Sequence, residues 1–287
     1  MAGGNRDAGR TVASKTLAIL EAFESGRRSL TLQEIAEQAN LPLSTAHRLA
    51  AELEEWGALS RDSQRRYQLG LRLWELSQHA GRALRDTARP YVQDLHNITG
   101  ETSQLAIRDG RDSLFIHRFY GSRRIPRASR VGGRLPLHAT AVGKVLLAKA
   151  PDELLEAYLD ADLEQPTPHT HANPVQLRGE LEQVRQQGFA TSMDEIRVGS
   201  SSVAVPVFHT GRVGASIGIV TATTNLANLT KFLPALRAIS ERIEQATVHI
   251  PLETLLRTSS DIALRSYPHA DRGNSSKLDS TERKQRE

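Results

Sequence analysis

Residues 31–57 constrain this chain more than any other stretch, because they spell two helices joined by a turn only a few residues long. Thr31 followed three residues later by Glu34 fits a capping box: the hydroxyl accepts from an orphan backbone amide and the carboxylate reaches back to the cap. Leu32, Ile35, Ala36 and Ala39 then recur at helical spacing. Asn40-Leu41-Pro42 makes a short turn, and a further helix opens at Ser44 and Thr45. That helix carries Leu43, Ala46, Leu49, Ala50 and Leu53 along one face and stops by Gly57, leaving Ser44, Thr45, His47 and Arg48 to project outward. A preceding helix is predicted by Val12, Leu17, Ile19, Leu20 and Phe23, ending near Ser25-Gly26. After Gly57 comes a hairpin over residues 59–69, with the polar, basic tip Arg61-Asp62-Ser63-Gln64-Arg65-Arg66 and a returning strand Tyr67-Gln68-Leu69.

Residues 71–99 read as linker helices carrying Leu71, Leu73, Trp74, Leu76, Leu84, Tyr91, Leu95 and Ile98, with breaks around Gly81 and at Pro90. From Glu101 the texture changes to short strands, 102–107 and 113–120, joined by an Asp109-Gly110 turn. Helices follow over 141–150, 152–159 and 175–188, the last ending at Gly188, with a Pro/His/Thr loop over 161–174. Strands over 189–192, 202–208 and 213–220 surround the loop Gly199-Ser200-Ser201-Ser202, before a helix from Asn228 to His249 that Pro251 closes. The chain thus divides into a disordered lead-in (1–11), a helical domain with a hairpin (12–70), linker helices (71–99) and a mixed domain (100–250). A tail (251–287) follows, disordered from about residue 268 because it is charged and Ser-rich. The fold class is α+β.

Composition excludes several classes. With no cysteine among 287 residues there are no disulfides, thiolate metal sites or thiol nucleophiles. No run of about 18 apolar residues occurs, and MAGGNRDAGR lacks the apolar core of a signal peptide, so no membrane partner and a cytoplasmic location are expected. The net charge of +4 does not locate a nucleic-acid site. Residues 1–70 carry 9 Lys/Arg against 9 Asp/Glu, whereas 108–134 carry 8 Arg against 2 Asp. A DNA argument must therefore rest on which face the N-terminal arginines occupy.

A winged helix-turn-helix works because a helix fits the major groove, short polar residues at its N-terminal end reach base edges, and wing arginines hold phosphates. Residues 31–66 supply each part. Ser44, Thr45, His47 and Arg48 are the candidates for groove contacts and Arg61, Arg65 and Arg66 for the DNA backbone, with Thr31 completing the candidate set. Arg48 alone suits bidentate reading of guanine. The bland alternative is a helical hairpin whose Arg48 and Arg65 are merely solvated.

At this point the chain resembles the IclR-type bacterial transcriptional regulators, which place a winged helix-turn-helix before a GAF-like effector domain. The resemblance is carried by SLTLQEIAEQANLPLSTAHRLAAELEEWGAL, RRYQLGLRLWEL, LPLHATAVGKVLLA and GFATSMDEIRVGSSSVAVPVF in that order, and spans about residues 12–249. It implies a homodimer or homotetramer on double-stranded promoter DNA, with repression as the default. It also implies a small organic acid or aromatic metabolite as effector, and no cofactor. By the same resemblance the effector pocket lies between Thr140-Ala141-Val142-Gly143 and the strands bearing Ser202, Gly218 and Val220, with Asp194 near its mouth. The Gly-Ser-Ser-Ser loop and a helix starting near Ala141 would offer amides and hydroxyls to a carboxylate. Many relatives carry a cysteine where Ser202 stands and polar residues where Gly218 and Val220 stand. That departure shifts the expectation from a small hydrophilic acid toward a bulkier or more apolar ligand.

Other motifs carry less. Gly143-Lys144 is no phosphate loop, because position 138 is His and Val145 follows the lysine. His169 and His171, with His138 elsewhere, have no carboxylate at helical spacing to support a metal, so unligated loop histidines are the expectation. Arg118, Arg123, Arg124, Arg127, Arg130 and Arg134 could contact DNA, an acidic effector or a second subunit, a solvated or intersubunit face being favoured. No catalytic motif stands out, since Asp194 and Glu195, adjacent on a strand, would face opposite ways. The rival reading is a small-molecule-metabolising enzyme with an N-terminal helical interaction module.

Overall fold

The computed structural model describes residues 10–25, 27–77, 82–121, 130–223 and 226–250. Contacts divide the chain into two compact units, the boundary falling between residues 80 and 81.

In the first unit, α1 (Val12–Glu21) is capped by Thr11, whose hydroxyl accepts from the Ser14 amide, and tightens into a 3-10 turn over Ala22–Ser25. The capping box at Thr31 and Glu34 starts α2 (Leu32–Gln38), and α3 (Leu43–Trp56) ends at Gly57, whose φ of 86° is left-handed backbone that glycine adopts freely. The hairpin β1 (Leu59–Arg61) and β2 (Tyr67–Leu69) follows, then α4 (Leu71–Ser77). Ile19, Leu30, Ile35, Ala46, Leu49, Ala50, Leu59 and Tyr67 form the core. Each fully buried Leu or Ile contributes about 1.5–3 kcal/mol. Leu43 departs from expectation, being 55% exposed. It is the first residue of α3, and the buried stripe begins a turn later at Ala46.

The second unit opens with α5 (Arg82–Thr99). Next come β3 (Thr102–Asp109), β4 (Asp112–Phe119), β5 (Arg134–Pro136) and a 3-10 turn over Leu137–Ala139. The helices α6 (Ala141–Ala148), α7 (Asp152–Leu159) and α8 (Pro174–Gln187) follow. Last come β6 (Ala190–Met193), β7 (Ser200–His209), β8 (Arg212–Ala222), α9 (Leu226–Thr230) and α10 (Leu233–Thr247). The strands form one antiparallel sheet in the order β5-β4-β3-β8-β7-β6. Side-chain alternation gives it two apolar faces. One packs Leu105, Val203, Val205, Ile217 and Ile219 against α5 and α10, and the other packs Ala106, Phe115 and Ala204 against α6, α7 and α8.

Three local expectations change. Pro90 does not break the helix: α5 runs through it, with Ala88 and Val92 fully buried while Pro90 itself is exposed. The buried residues on the inner side hold the helix together across the missing hydrogen bond. Ser200 and Ser201 belong with Ser202 to β7 rather than to a loop before it, because β6 and β8 flank that stretch and complete its ladder. The C-terminal helix is divided, since Pro234, in the first turn of α10, cannot extend a helix from its N-terminal side. The apolar side of α5, placed with the linker helices by sequence, contributes Leu84, Ala88, Val92 and Leu95 to the core of the second unit. Most of the lead-in, the tail over 251–287 with Pro251, the break at Gly81, and Arg123, Arg124 and Arg127 lie outside the described residues.

Candidate functional site

The N-terminal candidates divide by what holds them. On α3, Ser44, His47 and Arg48 are exposed and Thr45 is half-buried, on the face away from Ala46, Leu49 and Ala50. Arg48 pairs with Glu52 one turn on, both more than half exposed, a screened contact of low worth that another anion can replace. Arg61, by contrast, donates to both Glu54 oxygens (3.1 and 3.0 Å) and to the Tyr67 hydroxyl (2.6 Å), and its guanidinium sits 4.5 Å over the Tyr67 ring. Arg66 donates to Glu34 (2.9 Å), to the Ser29 carbonyl (3.1 Å) and to the Ser29 hydroxyl (3.2 Å). These two arginines tie the hairpin to the helices. Arg65 stands exposed on the tip with a φ of 60°. Thr31 is occupied as the cap: its amide donates to Glu34 (2.7 Å), and its hydroxyl accepts from the Glu34 amide. That backbone bond, with help from Arg66 and Arg27, holds the Glu34 carboxyl below its ordinary value.

On the α6 face of the sheet, a cavity of about 40 Å³ opens between strands and helix. One water needs about 10–15 Å³ on this measure, so there is space for a small molecule or a few waters. Gln104 of β3, Phe115 and Arg118 of β4, Thr140 ahead of α6, Ser202 of β7 and Val220 of β8 line it, with Leu135, Ala139, Ser192, Ile196, Ser200 and Ser201. Register explains the assembly: Ser192, Ser202 and Val220 are successive partners across β6, β7 and β8. Gln104 is only 4% exposed, and its side-chain oxygen has no hydrogen-bond partner. Arg118 lies 5.9 Å over the Phe115 ring and 5.3 Å over Tyr120. The cavity thus pairs an aromatic wall with a guanidinium, an amide and hydroxyls, which suits an anion carried on an apolar body.

Of the eight residues expected around an effector, Thr140, Ser202 and Val220 line this cavity. The others have different work. A Cβ on Gly143 would meet the Leu137 carbonyl at 2.3 Å, and one on Gly218 would meet the Val203 carbonyl of the adjacent strand at 3.0 Å and Val142 Cγ1 of α6 at 3.1 Å, so both glycines allow close packing of α6. Ala141 and Val142 are core residues beneath it. The Gly143 amide is taken by the Thr140 hydroxyl (3.0 Å). Asp194 has a φ of 60° and accepts from the Gly199 amide (2.8 Å) and the Thr223 hydroxyl, closing the β6–β7 connection. Sequence reasoning missed Gln104 and Phe115, and named Arg118 only as one of six arginines that could meet DNA, an acidic effector or a second subunit. The available signal was Thr102-Ser103-Gln104, three polar residues opening a strand and all buried.

A second polar cluster lies behind α6. Lys144 is wholly buried and donates to Glu180 and Glu195, both at 2.6 Å, and to the Thr191 carbonyl at 3.5 Å. Burial pushes the Glu195 carboxyl up, against the pull of Lys144. His171 meets Glu180 of α8 at 2.8 Å, a carboxylate nine residues away that no helical spacing announces. His138 is bonded to the Tyr158 hydroxyl (2.8 Å) and the Glu164 carbonyl (2.7 Å), and burial pushes its imidazole down toward the neutral form. Among the described residues, no helix is long and apolar enough to cross a membrane.

With both sites in view, the likeness to known proteins is direct. The IclR helix-turn-helix domain matches residues 12–63 and the C-terminal domain of the bacterial transcriptional regulator IclR matches 78–245. The HTH-type transcriptional regulator XynR of Escherichia coli K12 is 33% identical over 239 residues, covering 81% of this chain and 95% of that one. The HTH-type transcriptional repressor AllR of the same strain is 31% identical over 216 residues, 74% of this chain and 80% of its own. A crystal structure of an IclR homologue from Microbacterium hydrocarbonoxydans with 4-hydroxybenzoate superposes with a TM-score of 0.76 at 30% identity, covering 82% and 98% of the two chains. These families and relatives are transcriptional regulators, not enzymes, which removes the rival reading. The chain belongs to the IclR family of bacterial transcriptional regulators, with a DNA-binding helix-turn-helix domain and a ligand-binding C-terminal domain.

Proposed function

We propose that this regulator is a cytoplasmic, homo-oligomeric repressor released or engaged by a small carboxylate with an aromatic or otherwise apolar body. The observation that carries the effector class is the cavity in which the Arg118 guanidinium shares walls with Phe115, Leu135 and Val220, while the Gln104 side-chain oxygen, left without a donor, suits a hydroxyl on the same ligand. The related homologue holding 4-hydroxybenzoate agrees in chemistry. Repression follows the relative named as a repressor. Self-association is supported by α4, where Leu71, Trp74 and Leu76 are 78%, 62% and 51% exposed, apolar surface that a second copy would cover. A symmetric dimer needs operator half-sites about 10 bp apart or a multiple. In the DNA contact, Ser44, Thr45, His47 and Arg48 face base edges and Arg65 a phosphate, while Thr31, Arg61 and Arg66 shape the surface from behind.

Titration of fluorescent DNA from upstream of the protein's own gene, at several salt concentrations and with random DNA as control, tests this assignment. Arg48→Ala should weaken specific binding about 10- to 100-fold and relax sequence preference. Arg65→Ala should weaken specific and random DNA alike and reduce the salt slope by about one. Equal effects of the two would sink the division of roles. Adding aromatic carboxylates, 4-hydroxybenzoate among them, should shift the DNA affinity of the wild type, and Arg118→Met or Ser202→Leu should abolish the shift with DNA binding intact. A response that survives both substitutions puts the effector elsewhere. The effector acts only through unequal affinity for the two states of the regulator.

A further inference from the structure

Away from the cavity, the described residues bring together His171 on the loop before α8, Glu180 on α8 and Glu195 just after β6, one ligand atom of each lying within 4.8 Å of the other two. The cluster is more than neighbouring acids. Lys144 takes one oxygen of each carboxylate, Oε1 of Glu180 and Oε1 of Glu195, at 2.6 Å. Glu180 then turns Oε2 to His171 Nδ1 at 2.8 Å. Glu195, 3% exposed, is left with Oε2 buried and without a hydrogen-bond partner. A buried carboxylate oxygen with no donor is costly, and a cation relieves it. Two carboxylates against one ammonium also leave a surplus negative charge beside the imidazole.

We propose that His171, Glu180 and Glu195 bind a divalent transition-metal ion, with Lys144 holding the second oxygen of each carboxylate. One imidazole nitrogen and two carboxylate oxygens form a ligand set suited to zinc, with a position left for water. Magnesium and calcium favour oxygen-only shells and are poorer matches. Zinc bonds of about 2.0–2.2 Å put tetrahedral ligand atoms roughly 3.3 Å apart, so the wider separations in the trio must close while the 2.8 Å His171–Glu180 contact opens slightly. His171 is half exposed, which leaves it room to move and gives the ion a way in. Lys144 acts as outer partners of ligating carboxylates commonly do, fixing their orientation. Ile196, next to Glu195, lines the effector cavity, so the ion would sit beside a wall of that cavity.

The test is calorimetric titration of the EDTA-treated full-length protein with zinc chloride at about pH 7.5, with cobalt(II) absorption as a second readout. One ion per chain is expected, with visible cobalt bands. His171→Ala and Glu180→Gln should each weaken binding at least about tenfold and erase the bands. His169→Ala should change neither, and magnesium should not compete. His171 is half exposed, so its variant keeps the fold, checked by unchanged circular dichroism. No saturable binding, wild-type affinity in both ligand variants, an equal loss in His169→Ala, or equal competition by magnesium would each overturn the proposal.

Discussion

The DNA-reading face and the effector cavity are built in opposite ways. Ser44, Thr45, His47 and Arg48 fall within five consecutive residues of one helix, and their orientation follows from helical geometry once Ala46, Leu49 and Ala50 are buried. The cavity draws on all six strands of the sheet and the approach to α6, seven segments spread from Gln104 to Val220 and brought together by strand order. A local site depends on its own helix, whereas an assembled one depends on every contact that keeps its segments in register. Damage to the packing behind the cavity should therefore cost far more than damage to the exposed face.

The largest test of that contrast is Lys144→Ala. It leaves Glu180 and Glu195 facing each other without their ammonium behind α6. Breaking a buried pair in this way costs about 3–5 kcal/mol, and the effector response should go with it. Urea unfolding followed by amide exchange in β7 and β8 reads the second unit. Trp56 and Trp74, the only tryptophans, lie in the first unit and give it a separate signal that should stay unchanged. A loss below about 1 kcal/mol would mean the lysine acts as a surface charge does.

Gly143→Ala comes next. Its Cβ would collide with the Leu137 carbonyl at 2.3 Å and with the Ser113 hydroxyl at 2.6 Å, forcing α6 off the sheet. Overpacking of this kind costs about 1–3 kcal/mol. The matching change at Gly218, where contacts begin at 3.0 Å, should cost less. If Gly218→Ala proves the more damaging in the same unfolding experiment, close approach of α6 is not what these glycines serve.

The same contrast explains which parts of the molecule are legible in the amino-acid sequence. The helix-turn-helix, its capping box and its hairpin follow from spacings of three and four residues, and residue 57 from the need for a left-handed cap. Thr140, Ser202 and Val220 are within reach of a family resemblance. Gln104 is not, and Arg118 reads only as one of six arginines with several possible partners, because their joining depends on the pairing of β3 with β4 and of β3 with β8. Lys144 reads as a failed phosphate loop, since nothing near it in sequence announces carboxylates 36 and 51 positions away. Pro90 misleads for a different reason: proline's cost in a helix depends on which side faces water, and that is tertiary information.

In the first unit, Thr31→Ala removes the hydroxyl that accepts from the Glu34 amide and leaves the rest of the box in place. Loss of a Ser or Thr cap costs about 1 kcal/mol. Tryptophan-monitored urea unfolding should show it, with exchange in β7 and β8 unaffected. An equal effect on both signals would mean the two units unfold together.

The smallest effects are two pH slopes of opposite sign. Glu34 is held below its ordinary value of 4.5 by the Thr31 amide, so its contribution is present above that value and is lost as pH falls through the lowered one. Glu195 is pushed above 4.5 by burial, so the native state keeps its proton longer than the unfolded chain does. Its term therefore makes stability fall as pH rises from about 4.5 through the raised value. Glu34→Gln should flatten the acid-side loss seen by tryptophan fluorescence, and Glu195→Gln should flatten the opposite trend in β7 and β8. A slope that persists in Glu195→Gln belongs to another group, and His138, whose lowered value gives stability that falls with acid, has the wrong sign to supply it.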